Sequence, residues 1–161
     1  MRTEFIIPEN LSLEDLQSAL EIKTRLHGDP AQTIYRTYYD SFDWRLYQDG
    51  SLLEDTRSGN EHTLVWQGLK GKHRCPRLKL RTAPRFAWDL PQGPFRTLME
   101  PVLEMRELLP KVRVRSRINR LRILTKDRKT VAWLALEENS LMRQKGVRAR
   151  KLDNRVVVIP V

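Results

Sequence analysis

In several segments of this chain apolar residues recur at every second position, which is the spacing of strands with one buried face. Short strands are predicted over residues 3–7, 63–66 and 77–81, where β-branched, aromatic or alternating apolar residues cluster. The longest alternating run covers residues 112–124, and residues 130–136 are predicted to return as its hairpin partner. The pattern therefore predicts a chain dominated by antiparallel strands.

Two segments have the three-or-four spacing of a helix instead. Residues 12–26 begin at Ser12, a good N-cap, and residues 94–109 begin at Pro94, which suits a first helical turn. Pro101 must kink or restart the second helix. Both helices carry an apolar stripe, so they are predicted to pack on the outside of the sheet.

Residues 34–53 are predicted to form a strand, a corner and a second strand. Tyrosines dominate the first part, and Asp40, Ser41 and Asp43 supply turn chemistry. The second strand is predicted to start at Trp44 and to be interrupted at Asp49-Gly50, a dipeptide that favours a tight turn with positive φ.

Four segments resemble, in order, parts of one known family. They are RTEFIIPE at 2–9, YYDSFDWRLYQDGSLL at 38–53, KVRVRSRINRLRILTKDRKTVAWLALEE at 111–138 and NRVVVIPV at 154–161. They resemble CYTH domains, the triphosphate tunnel metalloenzyme family. The resemblance implies an α+β fold, with an antiparallel β-tunnel or open barrel of about eight strands and flanking helices. It also implies one CYTH-like domain over residues 1–161. The last segment resembles the strand that precedes the CHAD domain in two-domain members of the family, so the domain is expected to be cut from a longer chain, with a CHAD domain as the candidate neighbour.

The formal net charge is +10, so the protein is expected to attract polyanions. Nucleic acid, polyphosphate, nucleotide and anionic lipid all respond to such a field, and charge alone does not choose between them. Cys75 is the single cysteine and is expected to be a small buried hydrophobe, which fits a reducing cytoplasm. No apolar run approaches the ~20 residues of a membrane-spanning helix, so no membrane association is expected.

A set of basic residues alternates with apolar ones and is predicted to form a cationic wall that binds phosphate. On the long strand, the first three arginines occupy odd-numbered positions and the last two occupy even-numbered ones. A bulge near residues 118–119 is therefore needed to keep all five arginines on one face. The resemblance supports Arg115 and Arg117 directly. The full predicted set is Arg113, Arg115, Arg117, Arg120, Arg122, Lys79 and Arg81.

The metal-binding half of the family's pattern is largely missing. The ExExK motif of the family's first strand, two glutamates and a lysine that point inward, falls on Arg2, Glu4 and Ile6. Glu54 and Thr56 stand where the family has arginines. The resemblance leaves Glu4, Glu137 and Glu138 as weak candidate ligands for Mg²⁺ or Mn²⁺.

These observations predict a degenerate CYTH-like domain that binds triphosphate, polyphosphate or nucleotide without catalysis. Two alternatives stay open at this point. One is an active metal-dependent triphosphatase, or an adenylate-cyclase-like enzyme, that uses Glu4, Glu137 and Glu138 with Mg²⁺ or Mn²⁺. The other is a nucleic-acid-binding domain whose basic surface includes residues 142–151, which carry five basic side chains.

Overall fold

The computed structural model describes residues 3–70, 75–146 and 148–161, and Arg2 lies outside them. These residues form ten strands and three α-helices, and every strand pairing with a known register is antiparallel, which confirms the predicted α+β class. The strands are β1 (Thr3–Ile6), β2 (Arg25–Gly28), β3 (Gln32–Asp40), β4 (Ser51–Ser58), β5 (Glu61–Gly68), β6 (Leu78–Leu80), β7 (Leu109–Leu124), β8 (Thr130–Leu141), β9 (Arg150–Lys151) and β10 (Arg155–Pro160). The helices are α1 (Leu13–Lys23), α2 (Arg45–Gln48) and α3 (Pro94–Leu103), with a short 3-10 turn at Ala87–Asp89.

The chain divides into two compact units. The first unit combines Met1–Ile34 with Arg115–Val161, and the second unit is Tyr35–Val114. In the first unit the strand order is β1, β10, β8 and β7, with β2 added to β7 and β9 added to β8. In the second unit the order is β3, β4, β5 and β6. Within the residues described, neither strand series closes on itself.

Helix α1 covers one face of the sheet in the first unit. Leucines of α1 pack against a buried group made by Leu121, Leu134, Leu136 and Val156. The Ser12 hydroxyl caps the helix by accepting a hydrogen bond from the Asp15 amide at 3.0 Å, as predicted. The helix ends at Lys23 rather than at residue 26, because Arg25–Gly28 pairs with β7 as strand β2. The ladder with β7 outweighs the helical spacing of the last residues.

The second unit has its own core under α3. Leu53, Leu64 and Trp66 of the sheet pack against Phe95 and Met99 of the helix. Helix α3 begins at Pro94, as predicted, but it ends at Leu103, and Pro101 lies inside it. The predicted extension to residue 109 is wrong, because Leu109 already belongs to β7.

The corner between β3 and β4 is organised by one buried carboxylate. Asp40 accepts hydrogen bonds from the amides of Ser41, Leu46 and Tyr47 at 2.8, 2.9 and 3.0 Å. These bonds fold residues 45–48 into the single helical turn α2, so the predicted strand start at Trp44 is wrong. Gly50 adopts φ +69°, as its Asp-Gly context predicts.

Candidate anion-binding site

The sheet of the first unit has two chemically different faces. Directly opposed residues of antiparallel strands share a face, and the register places Glu4 opposite Val157 and Arg155 opposite Glu137. The Ser116–Asn139 hydrogen bond of 2.6 Å and the packing of Arg122 over the Trp133 ring, at 5.7 Å, continue this face onto β7. We call it the arginine face, defined by Glu4, Arg120, Arg122, Trp133, Glu137 and Arg155.

The opposite face packs against α1, and we call it the helix face. It comprises apolar core residues and the charged residues that point to the same side of their strands. These residues are Leu121, Leu134, Leu136, Val156, Arg115, Arg117 and Glu138.

Strand β7 alternates regularly across the point where a bulge was predicted. Asn119 donates to Gln17 of α1 at 3.1 Å, and Leu121 and Ile123 pack on the same side. Ser116 and Arg122 lie on the other side, in contact with β8. The predicted bulge is therefore wrong, and Arg115 with Arg117 is separated from Arg120 with Arg122 by the thickness of the sheet.

The remaining predicted basic residues belong to the second unit. Arg113 is exposed in that unit. Its charge acts on Tyr39: burial and the Asp55 carboxylate raise the pKa of the Tyr39 hydroxyl, and the positive charge of Arg113 opposes that rise. Lys79 pairs with Glu61 at 2.9 Å, and Arg81 follows β6 as an exposed residue. On the same face as Lys79, Arg36 pairs with Glu54 at 3.6 Å. Cations of this face are thus partly neutralised by neighbouring glutamates.

Arg122 is the residue of the arginine face whose hydrogen bonding is incomplete. Its Nε atom is buried and has no hydrogen-bond partner among the described residues. A guanidinium stays charged at any physiological pH, and leaving a buried donor unmatched costs about 1–3 kcal/mol. Arg120, two residues away on the same face, is exposed. An anionic oxygen placed beside Arg122 would satisfy the donor and meet a second cation nearby.

Arg155 joins the two carboxylates of this face. Its Nε donates to Glu137 at 2.5 Å, and its Nη1 donates to Glu4 at 3.4 Å. The Glu137 side chain is 5% exposed, whereas that of Glu4 is 44% exposed. A buried carboxylate needs such a partner, because an unpaired charge in the interior costs several kcal/mol.

The three predicted metal ligands do not converge. Glu4 and Glu137 lie on the arginine face, while Glu138, the next residue on β8, points to the helix face. There it lines a cavity of about 510 Å³ with residues 7–15 and 151–154. Within the described ranges, no three His, Cys, Asp or Glu side chains are placed to hold a metal ion. In the described part of the chain, Glu4, Glu137 and Glu138 therefore do not together fit a Mg²⁺ or Mn²⁺ site, which needs several converging oxygens.

The sequence analysis missed the partners of two buried acids, Glu137 and Asp55. The contact of Glu137 with Arg155 depends on the register of β10 against β8, which the sequence does not reveal. In the second unit, His62 contacts the buried Asp55 at 2.8 Å across the β4–β5 hairpin. Burial raises the pKa of the Asp55 carboxyl, and the hydrogen bond from His62 opposes the rise. Cys75 is buried as predicted, and burial raises the pKa of its thiol.

Comparisons with known proteins identify the fold. The sequence matches no family model, and no curated protein is significantly similar to it. A candidate adenylate cyclase from Bacillus halodurans superposes with a TM-score of 0.59 at 12% identity, covering 98% of this chain and 78% of that chain. HpAC1 of Hippeastrum, a candidate adenylyl cyclase with a dominant triphosphatase activity, gives 0.55 at 10% identity, with 98% and 77% coverage. These likenesses support the CYTH-like fold.

The described helices do not include one that is long and apolar enough to cross a membrane.

Proposed function

We propose that this chain binds polyanions such as triphosphate, polyphosphate or nucleotide through the arginine face, without hydrolysing them. The observation that carries the proposal is the buried Nε of Arg122, which has no acceptor among the described residues. Charge-assisted hydrogen bonds from a guanidinium to phosphate oxygens are roughly twice as strong as hydrogen bonds between neutral groups. Arg120, Arg122 and Arg155 outnumber Glu4 and Glu137 on this face, and the register adds Arg25 of β2 and Arg150 of β9 to the same side, so an anion gains net attraction there.

The placement of the carboxylates supports the part of the proposal that concerns hydrolysis. Cleavage of a triphosphate requires a cation that neutralises the phosphates and a positioned water, and divalent metals usually supply both. Glu4 and Glu137 are hydrogen-bonded to Arg155, and Glu138 lies on the other face. This arrangement favours a binding protein over an enzyme.

The alternative is a metal-dependent triphosphatase or cyclase. The dominant triphosphatase activity of HpAC1, which shares the fold, favours it. In that case, Mg²⁺ or Mn²⁺ stimulates release of phosphate from triphosphate or of cyclic nucleotide from ATP, and Glu4→Ala abolishes the activity. Turnover that depends on added metal and on Glu4 would overturn the proposal of a binding protein.

The binding proposal is tested by calorimetric titration with tripolyphosphate, long-chain polyphosphate and ATP, each compared with single-stranded and duplex DNA. The strand β7 offers a matched pair of variants. Arg122→Gln and Arg117→Gln remove the same charge from the same strand, but from opposite faces. Arg122→Gln is expected to weaken tripolyphosphate binding about tenfold, the loss of one charge-assisted hydrogen bond. Arg117→Gln is expected to change it less than about twofold, by long-range charge alone.

Equal effects of the two variants would show that only net charge attracts the ligand. Tighter binding of DNA than of polyphosphate at the same salt concentration would favour the nucleic-acid alternative, with a steep dependence of affinity on salt.

A further inference from the structure

Arg155 occupies a distinctive position in the first unit. It starts β10, lies opposite Glu137 of β8 on one side and Ile6 of β1 on the other, and reaches Glu4 along β1. Its guanidinium thus contacts one carboxylate from each neighbouring strand, at 2.5 and 3.4 Å. The carboxylates come from residues 4 and 137, far apart in the sequence, and Arg155 is their shared partner.

The charges show what the guanidinium does. Glu4 and Glu137 together carry two negative charges, and Arg155 supplies one positive charge between them. Arginine does not lose its proton in proteins, so this cation is permanent. A divalent ion at the same carboxylates would need oxygen ligands at about 2.0–2.1 Å for Mg²⁺ and would have to displace the guanidinium first.

We infer that the Arg155 guanidinium serves as a built-in cation between Glu4 and Glu137, in the place that the CYTH resemblance assigns to a metal ion. Two consequences follow. Removal of Arg155 should expose a pair of carboxylates that binds a divalent cation weakly. Anion binding to the arginine face should not require metal, and this second consequence alone rests on the proposed function.

The first consequence is tested with Mn²⁺ as the probe, by the loss of its free-ion signal in electron paramagnetic resonance. Arg155→Met keeps an unbranched side chain but removes the charge, and it is expected to bind Mn²⁺ at least about tenfold more tightly than the unmutated chain. Arg155→Met combined with Glu137→Gln is expected to lose that gain. Arg117→Met removes a charge from the helix face and should leave Mn²⁺ binding unchanged.

Several results would overturn the inference. One is a folded Arg155→Met variant that gains no Mn²⁺ affinity. Another is binding of Mn²⁺ by the unmutated chain that is abolished by Glu137→Gln, because it would mean that the carboxylates already accept a metal. If Arg155→Met does not fold, this second measurement decides the question, together with Arg155→Lys, which keeps the charge and should gain no Mn²⁺ affinity.

The second consequence is tested by titration of the unmutated chain with tripolyphosphate in EDTA and in excess Mg²⁺. Affinity in EDTA that equals or exceeds the affinity in Mg²⁺ supports the built-in cation, whereas binding that appears only with Mg²⁺ contradicts it. No binding in either condition would refute the proposed function, while the Mn²⁺ measurements would still decide the role of Arg155.

Discussion

The two faces of the first unit's sheet receive similar side chains from β7 but meet different neighbours. On the helix face, α1 covers Leu121, Leu134 and Leu136, and the charged residues lie around this apolar contact. On the arginine face, Glu137 is buried, and Trp133 is 38% exposed beneath Arg122. Arginines of one strand therefore surround a packing surface on one side and form a candidate ligand surface on the other. Cross-strand partners, rather than residue type, create the difference.

The largest expected effect concerns the helix face. Leu136 is 2% exposed under α1, and Leu136→Ala is expected to lower the free energy of unfolding by about 3 kcal/mol, through lost burial and a cavity. Tripolyphosphate affinity measured on the folded variant should stay within about twofold, because the arginine face is unchanged. Val131→Ala, at an exposed position of the same strand, is the control for urea denaturation and should cost less than about 0.5 kcal/mol. A large loss of affinity in Leu136→Ala would show that the two faces are not separable.

The next effect concerns the buried carboxylate of the arginine face. Arg155→Met leaves Glu137 without the guanidinium and is expected to lower the unfolding free energy by about 2 kcal/mol. The value is below that of a fully buried pair because the Arg155 side chain is 31% exposed. Adding Glu137→Leu should recover at least about half of the loss, since an apolar pair can replace a buried ion pair. Urea denaturation of the single and double variants measures both effects, and an unchanged stability of Arg155→Met would contradict the role of this ion pair.

A smaller effect is expected at the start of α1, which covers the helix face. Ser12→Ala removes the hydroxyl that accepts from the Asp15 amide and is expected to cost about 1 kcal/mol. Ser12→Thr retains a capping hydroxyl and should cost clearly less in the same thermal or urea measurement. Equal losses would mean that the hydroxyl contributes nothing beyond its size.

The smallest effect is expected at Asp55, a second buried acid that can be compared with Glu137. The hydrogen-bond partner of Asp55 is His62, at 2.8 Å, and burial raises the pKa of the Asp55 carboxyl. A carboxyl with a raised folded pKa adds stability below its ordinary value of 3.8, and that contribution is lost as the pH rises through the folded pKa. The Asp55→Asn variant has no carboxyl to titrate at this position and therefore does not lose this contribution. The unfolding free energy of the variant, relative to that of the unmutated chain, should rise from pH 4 to pH 7. Urea denaturation at both pH values measures the difference, and a relative stability that falls over this range would contradict the assignment.

The local features of the fold follow from the sequence. The N-cap at Ser12, the start of α3 at Pro94 and the positive φ of Gly50 each depend on a few adjacent residues. The periodicity of side-chain direction, the fixed φ of proline and the conformational freedom of glycine are properties of short segments. A local pattern in the sequence is therefore enough to predict these features.

The candidate site was decided by tertiary structure. Regular alternation of β7 divides the arginines that a bulge was expected to unite, and the register between β8 and β10 places Glu137, rather than Glu138, opposite Arg155. The contact of Arg155 with Glu4 joins residues 151 positions apart. Such contacts depend on which strands pair and in which register, and a shift of one residue would move every side chain to the other face. Sequence alone therefore determined the kinds of charge present, and strand pairing determined which charges meet.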